Sequence, residues 1–243
     1  MFKFIVLLGL VSAAIAAPSP RVVNGTDANI ADYPFMVSIK VGSSHNCGGS
    51  ILNDRWILSA AHCSGSVVEY GTDKLGQGKS INVARWIRHE KYDTWSLEND
   101  IAVVELAEPI QWGENVRPVT LPEPFYEVPG SWETKAWLSG FGYDRTGGTI
   151  QTRLQEAELG VVSNTECAQL HYNSIYPGMI CAGVPEGGKG QCSGDSGGPL
   201  TINGVQIGAV SWSVKPCTVA PYPGVYTKVS HYVSWIKEKT GMQ

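Results

Sequence analysis

Residues 189–200 read KGQCSGDSGGPL and place one serine, Ser196, among several glycines. Gly194 stands before it, and Gly197 and Gly198 follow it directly. Glycine loses more backbone entropy on folding than any other residue, so this concentration indicates a segment in which side chains would be in the way. A hydroxyl nucleophile needs such a backbone, because it must reach a planar carbonyl while N–H groups bind the oxygen that becomes negative. A glycine-rich turn with an incidental serine is the competing interpretation.

Two other stretches offer the groups that would activate this serine, which is inert at neutral pH unless a base takes its proton. His62 lies in LSAAHC, after an apolar run and directly before Cys63, where it is expected to be buried and held in place. Asp100 begins the apolar run DIAVVEL, where a buried carboxylate would need a partner. A hydrogen-bonded core histidine and a solvated acid or turn cap are the ordinary alternatives.

The hydrophobic pattern predicts a mostly-β protein. The chain has 243 residues, of which 43% are apolar and 16% charged, which is a globular composition. Short apolar runs bounded by Gly, Pro, Asn or Asp recur along it and predict strands joined by tight turns, in a barrel or a sandwich. Only the end, VSHYVSWIKEKT, has helical spacing, with apolar residues at Val229, Tyr232, Val233 and Ile236.

The motifs LSAAHC, NDIAVVEL and GDSGGP, in this order, resemble those of the trypsin/chymotrypsin family of serine endopeptidases. RVVNG at residues 21–25 resembles the activation site of that family, and VSWS and YPGVYTKVS resemble the walls of its substrate pocket. The resemblance covers essentially the whole chain after the leader. It implies an all-β fold of two packed six-stranded antiparallel β-barrels with a C-terminal α-helix. The expected barrels span residues 22–120 and 121–243, and the proline-rich stretch 117–130 links them.

The resemblance also implies a role for each motif residue. Ser196 is the expected nucleophile, His62 its base and Asp100 the group that orients the histidine, while the N–H groups of Gly194 and Ser196 form the oxyanion hole. Cleavage after Arg21 is expected to free an ammonium group at Val22 that pairs with Asp195. The expected substrate pocket consists of Gly190, Gln191, Ser211, Trp212, Ser213 and Gly224.

Residues 1–16, MFKFIVLLGLVSAAIA, have the composition of a secretory signal peptide, and residues 17–21 are the expected propeptide. Export favours disulfides over metal sites for the six cysteines, but the sequence alone leaves 15 pairings open. The family resemblance implies three of them: Cys47–Cys63, Cys167–Cys181 and Cys192–Cys217.

The pocket residues predict which bond is cut. Gly190 stands where trypsins have an aspartate that pairs with arginine or lysine of the substrate, so we expect these residues to be poor at P1, the residue before the cleaved bond. Gly224 leaves one wall open, which favours a large apolar P1 residue as in chymotrypsin. Ser213 and Gln191 are larger than the usual residues and keep an elastase-like or broad specificity as the alternative.

The remaining expectations concern partners and ligands. With 18 basic and 22 acidic residues the chain has a formal charge of −4 and no basic field for nucleic acid. We expect a secreted monomer without metal, cofactor or membrane contact, acting on polypeptides after activation by a trypsin-like protease, with protein inhibitors as further partners. Asn24 begins a glycosylation sequon or has a purely structural role. The alternative class is a binding protein, either a non-catalytic homologue or a disulfide-bonded β-sandwich.

Overall fold

The computed structural model describes residues 22–243. Six strands of the first half close into an antiparallel barrel: β2 (Met36–Val41), β3 (Ser44–Ile51), β4 (Trp56–Ser59), β5 (Val67–Tyr70), β6 (Lys79–Arg88) and β7 (Ala102–Leu106). Around this barrel the strand order is β2-β3-β4-β7-β6-β5. A short strand, β1 (Thr26–Asp27), precedes them.

Six strands of the second half form the other barrel: β8 (Ser131–Gly140), β9 (Gln155–Val162), β10 (Met179–Gly183), β11 (Pro199–Ile202), β12 (Val205–Trp212) and β13 (Gly224–Lys228). Their order is β9-β10-β13-β12-β11-β8, and pairing of β8 with β9 closes the barrel. The predicted pair of six-stranded antiparallel barrels is therefore confirmed.

Strand β8 shows how the pattern of side chains follows from the barrel, whereas strands such as β4 and β10 are buried along their whole length. In β8, Ala136 and Leu138 are fully buried, whereas Trp137 between them is 37% exposed. Successive side chains of a strand point to opposite faces, so this period of two places one set inside the barrel and the other outside. The same interior contains the buried residues Leu159 and Leu200 of β9 and β11.

The C-terminal helix, α2 (Val229–Thr240), lies where the apolar spacing predicts it. It ends at Gly241, whose left-handed φ of 71° suits glycine at this position. A second helix, α1 (Asn164–Leu170), was not predicted. Its seven residues bury only Cys167, so no helical periodicity shows in the sequence, although Ser163 caps it by accepting a hydrogen bond from the Glu166 N–H at 3.2 Å.

The two ends of the described chain each pack on the opposite barrel. Strand β1 pairs with β9 of the second barrel. On α2, Tyr232 and Ile236 belong to the same apolar cluster as Ile101 and Leu106 of the first barrel. The division expected after residue 120 thus separates the barrel strands, but the terminal segments cross it. Within residues 22–243, neither helix combines the length and the apolar content that crossing a bilayer requires.

Three disulfides join the pairs implied by the family resemblance: Cys47–Cys63, Cys167–Cys181 and Cys192–Cys217. The first holds β3 to the loop that carries His62. The third joins the loop before Ser196 to the segment after Trp212. Each closes a short loop, which is worth about 3 kcal/mol in the chain-entropy model.

Candidate active site

His62 and Asp100 meet at one end of the first barrel. Strand β4 pairs with β7, with Ser59 opposite Ala102, so the loop after β4 and the residues before β7 lie side by side. The His62 Nδ1 is 2.7 Å from the Asp100 Oδ2, and the backbone N–H of His62 donates to Oδ1 at 2.9 Å. One carboxylate therefore holds both the ring and the backbone of the histidine. The expectation that His62 is buried was wrong, since 27% of its side chain is exposed, and Asp100 rather than burial holds it in place.

The second barrel completes the surroundings of Asp100. The Ser211 hydroxyl donates to the Asp100 Oδ2 at 2.6 Å, and the Thr227 hydroxyl donates to the Asp100 carbonyl oxygen at 2.6 Å. Asp100 is only 1% exposed, and its carboxylate finds the partners that a buried charge requires in Ser211 and His62, while Thr227 satisfies the backbone carbonyl. Sequence reasoning named Ser211 only as part of the pocket and missed Thr227, which lies far from Asp100 along the chain.

Ser196 lies on a loop that is fixed to the first barrel. Its carbonyl oxygen accepts a hydrogen bond from the Gly48 N–H at 2.8 Å. On the other side, the Gly197 N–H donates to the Val210 carbonyl at 2.8 Å, which ties the loop to β12. The loop with the candidate nucleophile thus bridges both barrels, and the Ser196 carbonyl oxygen lies 3.6 Å from the Sγ of Cys63, the residue after His62.

The glycines after Ser196 have a packing reason that the sequence did not reveal. Gly197 has a φ of 76°, and a Cβ atom there would lie 2.7 Å from the Gly48 carbonyl oxygen as well as against Ser59. A Cβ on Gly48 would in turn lie 2.9 Å from the Gly198 Cα. These distances are too short for real contacts, so the three glycines allow the barrels to approach at this point rather than only clearing space around Ser196.

The backbone around Gly194 is held by two residues that sequence reasoning missed. The His45 Nε2 lies 2.8 Å from the Gly194 carbonyl oxygen, and its Nδ1 lies 2.7 Å from the Ser38 hydroxyl. Burial lowers the pKa of His45 to about 4, so the ring is neutral. Nε2 therefore carries the proton and donates to Gly194, while Nδ1 accepts from Ser38. Within residues 22–243, the N–H groups of Gly194 and Ser196 have no backbone acceptor.

Asp195 is completely buried beside the Ser196 loop. Its Oδ1 accepts from the Gly142 N–H at 2.8 Å and its Oδ2 from the Cys192 N–H at 2.9 Å. Burial raises the pKa of Asp195 to about 7, against the smaller opposing effects of these two N–H groups and of Lys215. The carboxylate form is thus only partly compensated in this structure.

The segment that begins at Val22 docks on the loop before the candidate pocket. Val22 is fully buried in the apolar interior of the second barrel. The Gly190 N–H donates to the Val23 carbonyl at 3.2 Å, and the Asn24 Nδ2 donates to the Gly188 carbonyl at 2.6 Å. The hydrogen bond of Asn24 gives this residue a structural role in holding the segment on that loop. Arg21 and the leader lie outside the described residues.

Four of the six residues expected in the substrate pocket line one narrow cavity, whereas Ser211 is bonded to Asp100. Gly190, Gln191, Ser213 and Gly224 line one cavity, in which the space open to the centre of a water molecule is about 10 Å³. This is about the room that a single water needs. Trp212 contributes its carbonyl oxygen, which accepts from the Gln191 Nε2 at 2.6 Å.

The expectation that Gly224 leaves a pocket wall open was wrong. A Cβ atom on Gly224 would lie 2.6 Å from the Gln191 Nε2 and 3.0 Å from its Cδ. The Gln191 side chain occupies the space beside the glycine and is itself only 3% exposed. Gly224 therefore makes room for a side chain of the same protein.

Comparison with known proteins agrees with this geometry. The family model described as Trypsin matches residues 22–236. Trypsin of Phaedon cochleariae is 36% identical over an alignment 259 positions long, gaps included, which covers 99% of each chain. Serine protease 1 of Rattus norvegicus is 38% identical, over 96% of this chain and 97% of its own. Anionic trypsin of Canis lupus familiaris is 37% identical, over 96% of both chains. The chain belongs to the trypsin family and is a serine endopeptidase.

Proposed function

We propose that Ser196, His62 and Asp100 are the catalytic triad of this endopeptidase. The Ser196 hydroxyl attacks the scissile carbonyl while His62 accepts its proton, and His62 then protonates the leaving amine. Water, activated by the same histidine, hydrolyses the acyl-enzyme and regenerates the serine. The observation that carries this assignment is the 2.7 Å hydrogen bond between His62 and Asp100, whose buried carboxylate also accepts from the Ser211 hydroxyl.

Asp100 acts through the tautomer of His62. By accepting a hydrogen bond from the Nδ1–H, it leaves Nε2 as the basic atom and stabilises the imidazolium that forms during the reaction. The N–H groups of Gly194 and Ser196 bind the developing oxyanion, and each such donor is worth about 3–4 kcal/mol in the transition state. His45 is a positioning residue in this scheme, because its hydrogen bond to the Gly194 carbonyl fixes the orientation of the backbone next to one donor.

We further propose that the protein is secreted as a zymogen. Residues 1–16 are the proposed signal peptide and residues 17–21 the proposed propeptide, and the three disulfides support an oxidising compartment. Cleavage after Arg21 turns the Val22 N–H into an ammonium group. Asp195, buried and under-compensated, is the proposed partner of this cation. The contacts of Val23 and Asn24 would carry the change to the loop at Gly188 and Gly190.

The proposed substrates are polypeptides with an uncharged residue at P1. The named relatives include trypsins, but this chain has Gly190 where a carboxylate would pair with a basic P1 residue. A buried, unpaired substrate cation is costly, so arginine and lysine are disfavoured. A trypsin-like activating protease and protein inhibitors are the proposed partners, and a monomer is the proposed state.

Labelling of Ser196 tests the proposed triad and activation. The purified chain is treated with trypsin to cut after Arg21 and then with a small phosphonyl fluoride, and the labelled peptide is identified by mass spectrometry. We expect one adduct, on Ser196, that forms much faster in the cut chain than in an Arg21→Ala chain carried through the same treatment. Equal labelling of the two chains would contradict the zymogen proposal. An activated chain without an adduct would contradict the triad.

The pH dependence of stability tests the role of Asp195 in the uncut chain. Because its folded pKa, about 7, lies above its ordinary value of about 3.9, the folded chain favours the protonated carboxyl. The stability due to this group is therefore full below about pH 4 and is lost as the pH rises through 7. At about 1.4 kcal/mol per pKa unit, the loss is on the order of several kcal/mol.

The measurement compares urea unfolding of uncut Ser196→Ala chains with and without Asp195→Asn, between pH 4 and 8. We expect the chain that keeps Asp195 to lose stability relative to the Asp195→Asn chain as the pH rises. Cutting after Arg21 should remove the difference in slope, since the Val22 ammonium then pairs with the carboxylate. Parallel pH profiles of the two uncut chains would refute the assignment.

A further inference from the structure

The side chain of Gln191 crosses the substrate pocket and ties its walls together. Its Nε2 donates to the Trp212 carbonyl at 2.6 Å and to the Val225 carbonyl at 3.3 Å. These carbonyls belong to β12 and β13, the paired strands beside the pocket. The Gln191 side chain is thus fixed at both walls, and it is 3% exposed.

Two neighbouring residues leave little other room. The Gln191 side chain fills the space beside Gly224, as described above. At Gly190, a Cβ atom would lie 3.3 Å from the Thr218 Cγ2, so the base of the pocket is crowded from this side as well. The Gln191 side chain and this crowding together leave only about 10 Å³ of the pocket free.

We propose that Gln191 is a specificity-determining residue that closes the base of the pocket and restricts P1 to small uncharged residues. This inference rests on the proposed function of the Ser196 site and narrows its substrate class. A phenylalanine or tyrosine side chain could enter only if Gln191 left, which would strip the Trp212 and Val225 carbonyls of their donor. Leaving a buried polar group without its hydrogen bond costs more free energy than a formed hydrogen bond contributes, so the closed pocket is the favoured state.

The same side chain favours a particular kind of small residue. The Gln191 Oε1 is buried and has no hydrogen-bond donor within residues 22–243. A hydroxyl at P1 could supply that donor, whereas a carboxylate could not. We therefore place serine and threonine with alanine among the accepted P1 residues. Leucine, phenylalanine and tyrosine are excluded by size, which favours the elastase-like alternative over the chymotrypsin-like specificity.

Peptide substrates that differ only at P1 test the proposal. The activated enzyme and two variants are compared on P1 alanine, serine, leucine and phenylalanine by kcat/KM. We expect alanine to exceed phenylalanine by about 100-fold or more in the parent enzyme, since even single methylenes discriminate by about 10–200-fold in such pockets. In Gln191→Ser the phenylalanine-to-alanine ratio should rise at least about tenfold, because the blocking side chain is gone.

Two matched controls separate size from hydrogen bonding and from general damage. Gln191→Met keeps the bulk but loses the hydrogen bonds to the two carbonyls, so its preference for alanine over phenylalanine should lie between those of the parent and of Gln191→Ser. Gln77→Ser, at an exposed position of the first barrel, should leave the ratio unchanged. A parent enzyme that prefers phenylalanine, or a Gln191→Ser enzyme with the parent ratio, would overturn the proposal.

The contact between Gln191 and Gly224 gives a second, independent readout. Gly224→Ala alone should lower kcat/KM for every P1 residue, because its Cβ would meet Gln191. In the Gln191→Ser background the same substitution should be tolerated, so the two effects are non-additive. Additive effects would count against the proposed closure.

Labelling of Ser196 distinguishes failure of this inference from failure of the proposed function. A small phosphonyl fluoride labels Ser196 without filling the pocket, so an enzyme that is labelled but prefers phenylalanine refutes only this inference. Absence of labelling refutes the proposed function.

Discussion

Replacing Ser196 with alanine lowers kcat of the activated enzyme by about 10⁶-fold, as loss of a triad nucleophile does in serine proteases of unrelated fold. The substitution removes only the proposed nucleophile, because the backbone around Ser196 stays fixed by hydrogen bonds to Gly48 on one side and, through Gly197, to β12 on the other. A residual rate about 10³–10⁴-fold above that in water should remain, since the oxyanion donors and the substrate contacts are unchanged.

The control for this prediction is a serine of the same loop. Ser193 is exposed, and its backbone carbonyl accepts from the Tyr143 N–H. A Ser193→Ala substitution removes only the side chain, so this variant should retain most of the activity. Both variants are cut with trypsin, separated from it, and measured on the same P1 alanine peptide. Substantial turnover by the Ser196→Ala enzyme would exclude Ser196 as the nucleophile.

Replacing Asp100 with asparagine lowers kcat by about 10⁴-fold and changes KM little. The carboxylate accepts from both the ring and the backbone of His62 and from Ser211. An amide has one accepting oxygen, so its NH₂ group must face a donor or force the His62 ring into the other tautomer. Nε2 then carries the proton and can no longer act as the base, although the side chain keeps its shape.

The matched comparison is Ser211→Ala, which removes one donor to Asp100 but leaves the charge. This change should cost far less activity than Asp100→Asn, because His62 keeps its tautomer. Thermal unfolding of both variants shows whether the fold survives. A decrease in kcat of less than about tenfold in a folded Asp100→Asn enzyme would remove Asp100 from the proposed triad.

Features encoded in one continuous stretch of sequence could be predicted, whereas contacts between distant segments could not. The mostly-β class and α2 could be predicted, because short apolar runs bounded by turn residues recur along the chain and the C-terminal segment has helical spacing. The triad candidates stood in short motifs whose order resembles a known family. Helix α1 could not be predicted, since its seven residues bury a single side chain.

Contacts between distant segments were the other source of error. Nothing in the sequence near Gly194 indicates that His45 and Ser38 support it from β3 and β2. Similarly, Gly224 reads as an open wall unless the direction of the Gln191 side chain is known, and that direction is set by carbonyls on two strands. The sequence therefore predicted which residues form the pocket, but predicted its free space wrongly.

Helix α2 packs on the first barrel directly beneath Asp100, the proposed acid of the triad. The Tyr232 hydroxyl donates to the Asn99 Oδ1 at 3.0 Å, directly before Asp100, and Ile236 lies in the cluster that contains Ile101. A chain shortened to residue 228 would still contain Ser196, His62 and Asp100, yet it would lose the support beneath the proposed acid of the triad. Removal of this one helix should therefore inactivate the enzyme without touching any residue of the proposed triad.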